Sequence, residues 1–382
     1  MDEWSRLLRL QDKEYFEEVK RQSNVFKHYP LLKDDKMIFD NINKPELPAE
    51  FKFGEYFAPY MIQMDYNNNR WQEVLFKRYG KIEIEPGMSS LHYGQAVFEG
   101  QKVYKTADGG LNIFRPLDNF DRFNASLKRM CMPELRKPDI DVLYKGLKKL
   151  ILLNKDWVPE EPSNLYIRMH AFASENFIGI RPATEYKLFI ICSPVPPYLN
   201  GFAPTKLMIP EHYTRASIGG TGEAKSAGNY DGTLVPVEEA HTKGYSNCVF
   251  LRDGGYITEC SAANIFFVIN NKIVTPMLDG TILHGITRDS IIKLFKQYSF
   301  DVDELLITVN DLLFESYHGN LNEIFMTGTA ACVIPVSELL YKDQKIKPTF
   351  DTGLITTFIY EKLTDVLYSR SDDDFGWVVK VN

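Results

Sequence analysis

Between residues 193 and 204 the chain reads Ser-Pro-Val-Pro-Pro-Tyr-Leu-Asn-Gly-Phe-Ala-Pro, with four prolines and a glycine in twelve residues. A proline lacks an N–H and holds φ at about −65°, so neither a helix interior nor a central strand runs through such a segment. The chain is therefore expected to divide there, into an N-terminal α+β domain over 1–193, a linker at 194–205 and a C-terminal domain over 206–382. A length of 382 residues suits two domains.

Both parts mix helical and strand periodicities. Phe120, Phe123, Leu127, Met130 and Cys131 recur at helical spacing after Asp118 or Asn119, either of which can cap the start. Asp139 opens a second helix with Ile140, Leu143, Leu147, Leu150 and Ile151 on its apolar side, and with Lys148, Lys149 and Lys155 toward the end where the helix dipole favours them. Further helices are predicted at 287–298 and 353–368. Strands are predicted at 111–114, 164–172, 186–192, 247–252, 256–259, 264–269 and 272–275, and a strand-like aromatic stretch at 51–66. Asp253-Gly254-Gly255 and Asn270-Asn271 supply turns between strand pairs. Residues 11–28 are charged, with sparse apolar spacing that suits a surface helix or arm. The order is α+β, not an alternating βαβ series.

Composition excludes several classes of function. A net charge of −7 with both signs intermixed leaves no basic face for nucleic acid. No apolar run approaches the about 20 residues a spanning helix needs, and the acidic amino terminus lacks a signal core, so no membrane partner and a cytoplasmic location are expected. Five cysteines without a CxxC pair, and seven histidines without a metal-binding spacing, point to neither a disulfide framework nor a metal site.

The chemistry centres on Gly219-Gly220-Thr221-Gly222-Glu223-Ala224-Lys225-Ser226-Ala227-Gly228-Asn229-Tyr230, where one lysine sits among small residues that let a large group approach. A partly desolvated lysine is a nucleophile toward aldehydes, forming a Schiff base. Tyr230 shares its site if a helix starts here. The same letters nearly spell a phosphate-cradling P-loop, but that motif requires glycine where Ala224 stands. Glu259, within Thr258-Glu259-Cys260-Ser261-Ala262, is a carboxylate at a strand end that suits a pyridinium N–H. Leu283-His284-Gly285-Ile286-Thr287-Arg288 enters a helix whose free N–H groups suit a phosphate. Met326-Thr327-Gly328-Thr329-Ala330 is a second small-residue turn, and Arg115 is a candidate anion clamp.

Taken in order, LHYGQAVFEG (91–100), FRP (114–116), LYIR (165–168), the Lys225 stretch, TECSAANIFF (258–267), LHGITR (283–288) and TGTA (327–330) resemble the branched-chain amino acid aminotransferases, which are fold type IV pyridoxal-phosphate enzymes with the D-amino acid aminotransferase-like fold. The resemblance extends from about Phe53 to the Phe375-Gly376-Trp377 region. It implies amino transfer between leucine, isoleucine or valine and 2-oxoglutarate through pyridoxal phosphate. It also implies that Lys225 binds the cofactor and moves the proton, that Glu259 pairs with the ring nitrogen, and that Tyr230 pairs with the phenolic oxygen. Arg115, Ile286, Thr287 and Thr329 would hold the phosphate. Phe57, Tyr93, Phe98 and Tyr166 would line the apolar pocket, joined across a homodimer by Ile178, Ile180 and Tyr198. Arg168 and Tyr93 would receive the distal carboxylate of glutamate, and the Thr329 and Ala330 amides the α-carboxylate. Two departures stand out: Ala262 replaces a hydrogen-bonding residue, and Ala331 and Ile334 stand where some animal members carry a redox CxxC. The rival readings are a D-amino acid aminotransferase or aminodeoxychorismate lyase of the same fold, a P-loop hydrolase, and a non-catalytic binding protein.

Overall fold

The computed structural model describes residues 45–381, so the arm expected at 11–28 lies outside the described residues. Two sheets form the frame. The strands of the first are β1 (Tyr60–Asn67), β2 (Arg70–Trp71), β3 (Leu75–Arg78), β4 (Ala96–Lys105), β5 (Leu111–Phe114), β6 (Asn164–Ala173), β7 (Tyr186–Val195) and the last strand of the chain, β17 (Val378–Lys380). They lie in the order β17–β5–β4–β6–β7–β1–β2, with β3 also paired to β1. The second sheet comprises β8 (Thr205–Ile209), β9 (Asn247–Arg252), β10 (Tyr256–Cys260), β11 (Asn264–Ile269), β12 (Lys272–Pro276), β13 (Val302–Leu305), β14 (Leu321–Gly328), β15 (Cys332–Tyr341) and β16 (Gln344–Ile346). Its order is β10–β9–β8–β15–β14–β11–β12–β13, with β16 on β15.

The first sheet buries one face under the helices Pro116–Arg129 and Lys137–Leu153, through the predicted Phe120, Phe123, Leu127, Leu143, Leu147 and Leu150. Their starts differ from expectation for local reasons. Pro116 takes the first helical position, where its missing N–H costs nothing, and Arg115 precedes it at φ 47°. Asp139 sits in the first turn and accepts the Arg136 N–H at 3.0 Å instead of opening the helix.

The second sheet is buried on both faces. Along β11, Ile265 and Phe267 enter one core while Phe266 and Val268 enter another, beneath the helices Ile286–Gln297 and Leu354–Leu367. Phe266 stacks on Phe325 of β14 at 5.0 Å. In the proline-rich segment, β7 continues to Val195, a 3-10 turn covers Tyr198–Asn200, and β8 begins at Thr205. The strand-like stretch at 51–66 becomes a strand only from Tyr60.

One contact between the two parts positions the chemistry. Strand β5 pairs with β4 only over Val103–Lys105, so the same edge of β4 at Ala96–Phe98 is open. The Lys225 loop fills it: Phe98 N donates to Lys225 O and Ala227 N to Ala96 O, each at 3.0 Å.

Candidate active site

That edge pairing fixes the Lys225 backbone, and its N–H also donates to Ser126 Oγ at 2.9 Å. Asn229 ties the loop together, donating to the Thr221 and Ala224 carbonyls and accepting from the Thr221 hydroxyl, all at 2.7 Å. Gly222 is required by close approach, since a Cβ there would lie 2.6 Å from the Thr281 backbone. A short helix, Gly228–Asp231, does start here, and it brings the Tyr230 hydroxyl to 3.0 Å from Lys225 Nζ. The Phe98 ring lies 4.6 Å from the same nitrogen.

Glu259, at the end of β10, is 3% exposed. Its carboxylate accepts from Leu283 N at 2.9 Å and from Asn264 Nδ2 at 3.0 Å, and Arg215 Nη1 stands 2.7 Å away. Burial raises its carboxyl pKa, while Arg215, the Leu283 amide, Lys225 and Arg122 all oppose the rise. The helix Ile286–Gln297 begins after Gly285 with no side-chain cap, so its first amides are available to an anion. Thr327 Oγ1 is buried without a partner.

These groups line one cavity of about 270 Å3, with Lys225, Tyr230, Glu259, Ile286, Thr287, Thr329 and Ala330 on its wall. A larger cleft of about 800 Å3 adjoins it and shares Phe98, Tyr166, Arg168 and Tyr230. Phe57 lines this cleft, stacked on Tyr79 at 4.5 Å. The Arg168 guanidinium lies 4.4 Å over the Phe98 ring, its Nε is buried without a partner, and Nη2 reaches the Tyr166 hydroxyl only at 3.5 Å. Gly100 admits that hydroxyl, because a Cβ there would stand 1.8 Å from it.

Several expected residues lie elsewhere. Arg115 is off the cavity wall. Its guanidinium is committed to Asp118, to Asp289 at 2.5 Å and to Ser290 Oγ at 2.8 Å. It thus braces two helices and has no free fork for a phosphate. Tyr198 lines this chain's own cavity, its hydroxyl accepting from Asn247 Nδ2 at 3.2 Å, so it does not come from across a dimer. Tyr93 ends the helix Ser89–Tyr93, exposed and outside both cavities, and Ile178 and Ile180 are exposed as well.

Two arginines escaped the sequence reading. Arg122 lines the cavity; its Nε and Nη2 donate to buried Glu99 at 2.8 and 2.5 Å, and Nη1 donates to His284 O at 3.2 Å. The available signal was a polar line, Asn119–Arg122–Ser126, at helical spacing along the edge of a buried apolar stripe. Arg215, ten residues before Lys225, carried no local signal.

The family model described as amino-transferase class IV matches residues 96–339. A probable branched-chain-amino-acid aminotransferase of Staphylococcus aureus is 43% identical over 347 residues, covering 88% of this chain and 95% of that protein. Branched-chain-amino-acid aminotransferase 2 of Bacillus subtilis is 40% identical over 345 residues, covering 88% and 94%. Among solved structures, the Escherichia coli branched-chain amino acid aminotransferase superposes with a TM-score of 0.70 at 27% identity, over 84% of this chain and 99% of that one. A second branched-chain amino acid aminotransferase, complexed with N-(5'-phosphopyridoxyl)-L-glutamate, superposes with a TM-score of 0.69 at 27% identity, over 84% and 98%. Fold and site thus define a class IV, pyridoxal-phosphate-dependent aminotransferase. Within that class the chain belongs to the branched-chain amino acid aminotransferases.

The donor set fits the cofactor. An amine suits its aldehyde, a buried carboxylate suits a ring N–H, and uncapped helix amides with the unpartnered Thr327 hydroxyl suit a phosphate dianion. Among the described residues no helix is long and apolar enough to cross a membrane, and no cluster of His, Cys, Asp and Glu could hold a metal.

Proposed function

We propose that the chain transfers the amino group of leucine, isoleucine or valine to 2-oxoglutarate, with Lys225 as the proton-moving base. The observation that carries this reading is the 3.0 Å contact of Lys225 Nζ with Tyr230, in a cavity shared with Glu259 and open to an apolar cleft. Pyridoxal phosphate, when bound, supplies the electron-withdrawing ring that acidifies the substrate α-carbon. Lys225 anchors the cofactor and carries the proton from that carbon. Tyr230 orients the amine by accepting its N–H, and its hydroxyl is placed to face the phenolic oxygen. Glu259, with Arg215 and the Leu283 amide set against the effect of its burial, holds a ring N–H.

Arg122, the Ile286 and Thr287 amides and Thr329 grip the phosphate. Fixed donors of this kind need no reorganisation when charge arrives. Arg115 acts on that grip indirectly, by pinning the start of helix Ile286–Gln297 to the helix that carries Arg122. Phe57, Phe98, Tyr166 and Tyr198 pack against a branched side chain, each buried methylene contributing about 0.8 kcal/mol. Arg168 receives the distal carboxylate of the dicarboxylate substrate, and the Thr329 and Ala330 amides receive the α-carboxylate.

We also infer a cytoplasmic homodimer of two-domain chains, divided at 194–205. The exposed Tyr93, Ile178 and Ile180 favour a partner surface. The test is spectroscopic and kinetic together. The protein with pyridoxal phosphate should be yellow, should lose that colour on borohydride with the label on Lys225, and should form glutamate from leucine and 2-oxoglutarate. A colourless protein indifferent to pyridoxal phosphate refutes the reading.

A further inference from the structure

Tyr166, Arg168 and His170 alternate along β6 and share a face, and all three line the 800 Å3 cleft. The assignments above leave His170 unused. Its cross-strand neighbours are apolar: Phe98 on β4 and Phe189 on β7, with the Phe172 ring at 5.1 Å. The charged or titratable groups that face it are few. Arg168 adjoins it on its own strand, Lys225 and Tyr230 pack against the Phe98 ring, and Tyr79 and Tyr166 complete the cleft. No carboxylate lines the cleft, and Arg168 has no acidic partner among the described residues. Burial, reinforced by Arg168, holds the imidazole pKa down to about 4, so it is neutral at pH 7.

We propose that His170 is a second receptor for the distal carboxylate of the dicarboxylate substrate, taking up a proton as that carboxylate docks beside Arg168. The proposal rests on the reading of Arg168 given above. It resolves a conflict built into one pocket that serves two substrates. A permanent second cation would oppose the aliphatic chain of leucine, whereas a neutral imidazole packs against it and becomes charged only when an anion offsets the desolvation. The arriving carboxylate opposes Arg168 and raises the imidazole pKa in the complex. Proton uptake therefore occurs between about 4 and that raised value, and dicarboxylate affinity strengthens as pH falls through the window.

Calorimetry on the cofactor-loaded enzyme at pH 7 tests this, in two buffers of unlike ionisation enthalpy. Glutarate is the dicarboxylate probe, and 4-methylvalerate is the aliphatic control that shares the other carboxylate. Glutarate should take up more protons than 4-methylvalerate, by as much as one. His170→Leu should abolish the difference and weaken glutarate relative to 4-methylvalerate about tenfold or more. His170→Gln, which donates but cannot charge, should recover part of the affinity without the proton. Equal uptake for the two probes in the wild type, or His170→Leu weakening both alike, overturns the role of His170. If Arg168→Leu removes the glutarate preference while His170→Leu does not, only the His170 inference fails. If Arg168→Leu leaves glutarate affinity unchanged, the Arg168 reading itself fails.

Discussion

Replacing Arg122 by methionine should have two separable effects, because the guanidinium faces two anions. One is Glu99, fully buried, which accepts from Arg122 at 2.8 and 2.5 Å and from the Gly100 amide at 2.8 Å. Removing its cation leaves a buried carboxylate charge uncompensated, a loss of about 3–5 kcal/mol in unfolding free energy. The other is the cofactor phosphate, where loss of charged hydrogen bonds is worth about 1.5–3 kcal/mol, or roughly 10- to 150-fold in affinity. The double variant Glu99→Gln/Arg122→Met separates them. It should regain most of the apoenzyme's stability toward urea, because no charge is left buried, yet bind pyridoxal phosphate as weakly as Arg122→Met. Fluorescence-monitored urea titrations and cofactor titrations of all three proteins make the comparison. Wild-type cofactor affinity in Arg122→Met would refute the phosphate role. A double variant as unstable as the single would refute the buried-charge argument.

Other outcomes follow from individual contacts. Lys225→Ala should still bind pyridoxal phosphate, without the borohydride-sensitive absorbance, and should not form glutamate from leucine. Gly100→Ala places a methyl 1.8 Å from the Tyr166 hydroxyl and 2.6 Å from the ring carbon that carries it, so it should cost about 1–3 kcal/mol of stability, read from urea titrations, and lower kcat/KM, and Tyr166→Phe, which keeps that ring carbon, should restore the stability only in part. Thiol titration of the native protein at pH 8 should give one fast group, exposed Cys131, because burial pushes Cys192 and Cys248 up to about 12 and Cys332 up to about 11, and raises Cys260 as well. Lys102, buried with its ammonium on Ala330 O at 3.0 Å, is lowered by desolvation to about 8. From pH 8 to 10.5 the unfolded chain therefore holds the proton that the folded chain has lost, and wild-type stability should rise relative to Lys102→Met by up to about 3 kcal/mol, read from urea titrations across that range.

Much of the molecule is legible in local sequence, because the relevant physics is local. Phe120–Phe123–Leu127 and Leu143–Leu147–Leu150 specify amphipathic helices by spacing, and the small residues around Lys225, Glu259, Ile286 and Thr329 mark turns where a backbone must come close to something large. Those motifs, in order, also carried the family resemblance, and with it the cofactor and the reaction. What only the tertiary structure decided concerns direction and partnership. Arg115 and Arg122 lie about two helical turns apart, and one binds aspartates while the other faces the cavity, because helix Ile286–Gln297 docks against the start of their helix. Tyr198 turns inward and Tyr93 outward because the 3-10 turn after β7 folds over the second sheet while the helix Ser89–Tyr93 stays at the rim. His170 joins Arg168 in the cleft because of its register on β6 opposite Phe98. Such outcomes depend on contacts between residues far apart in sequence, and no local propensity encodes which of two arginines a distant helix will engage.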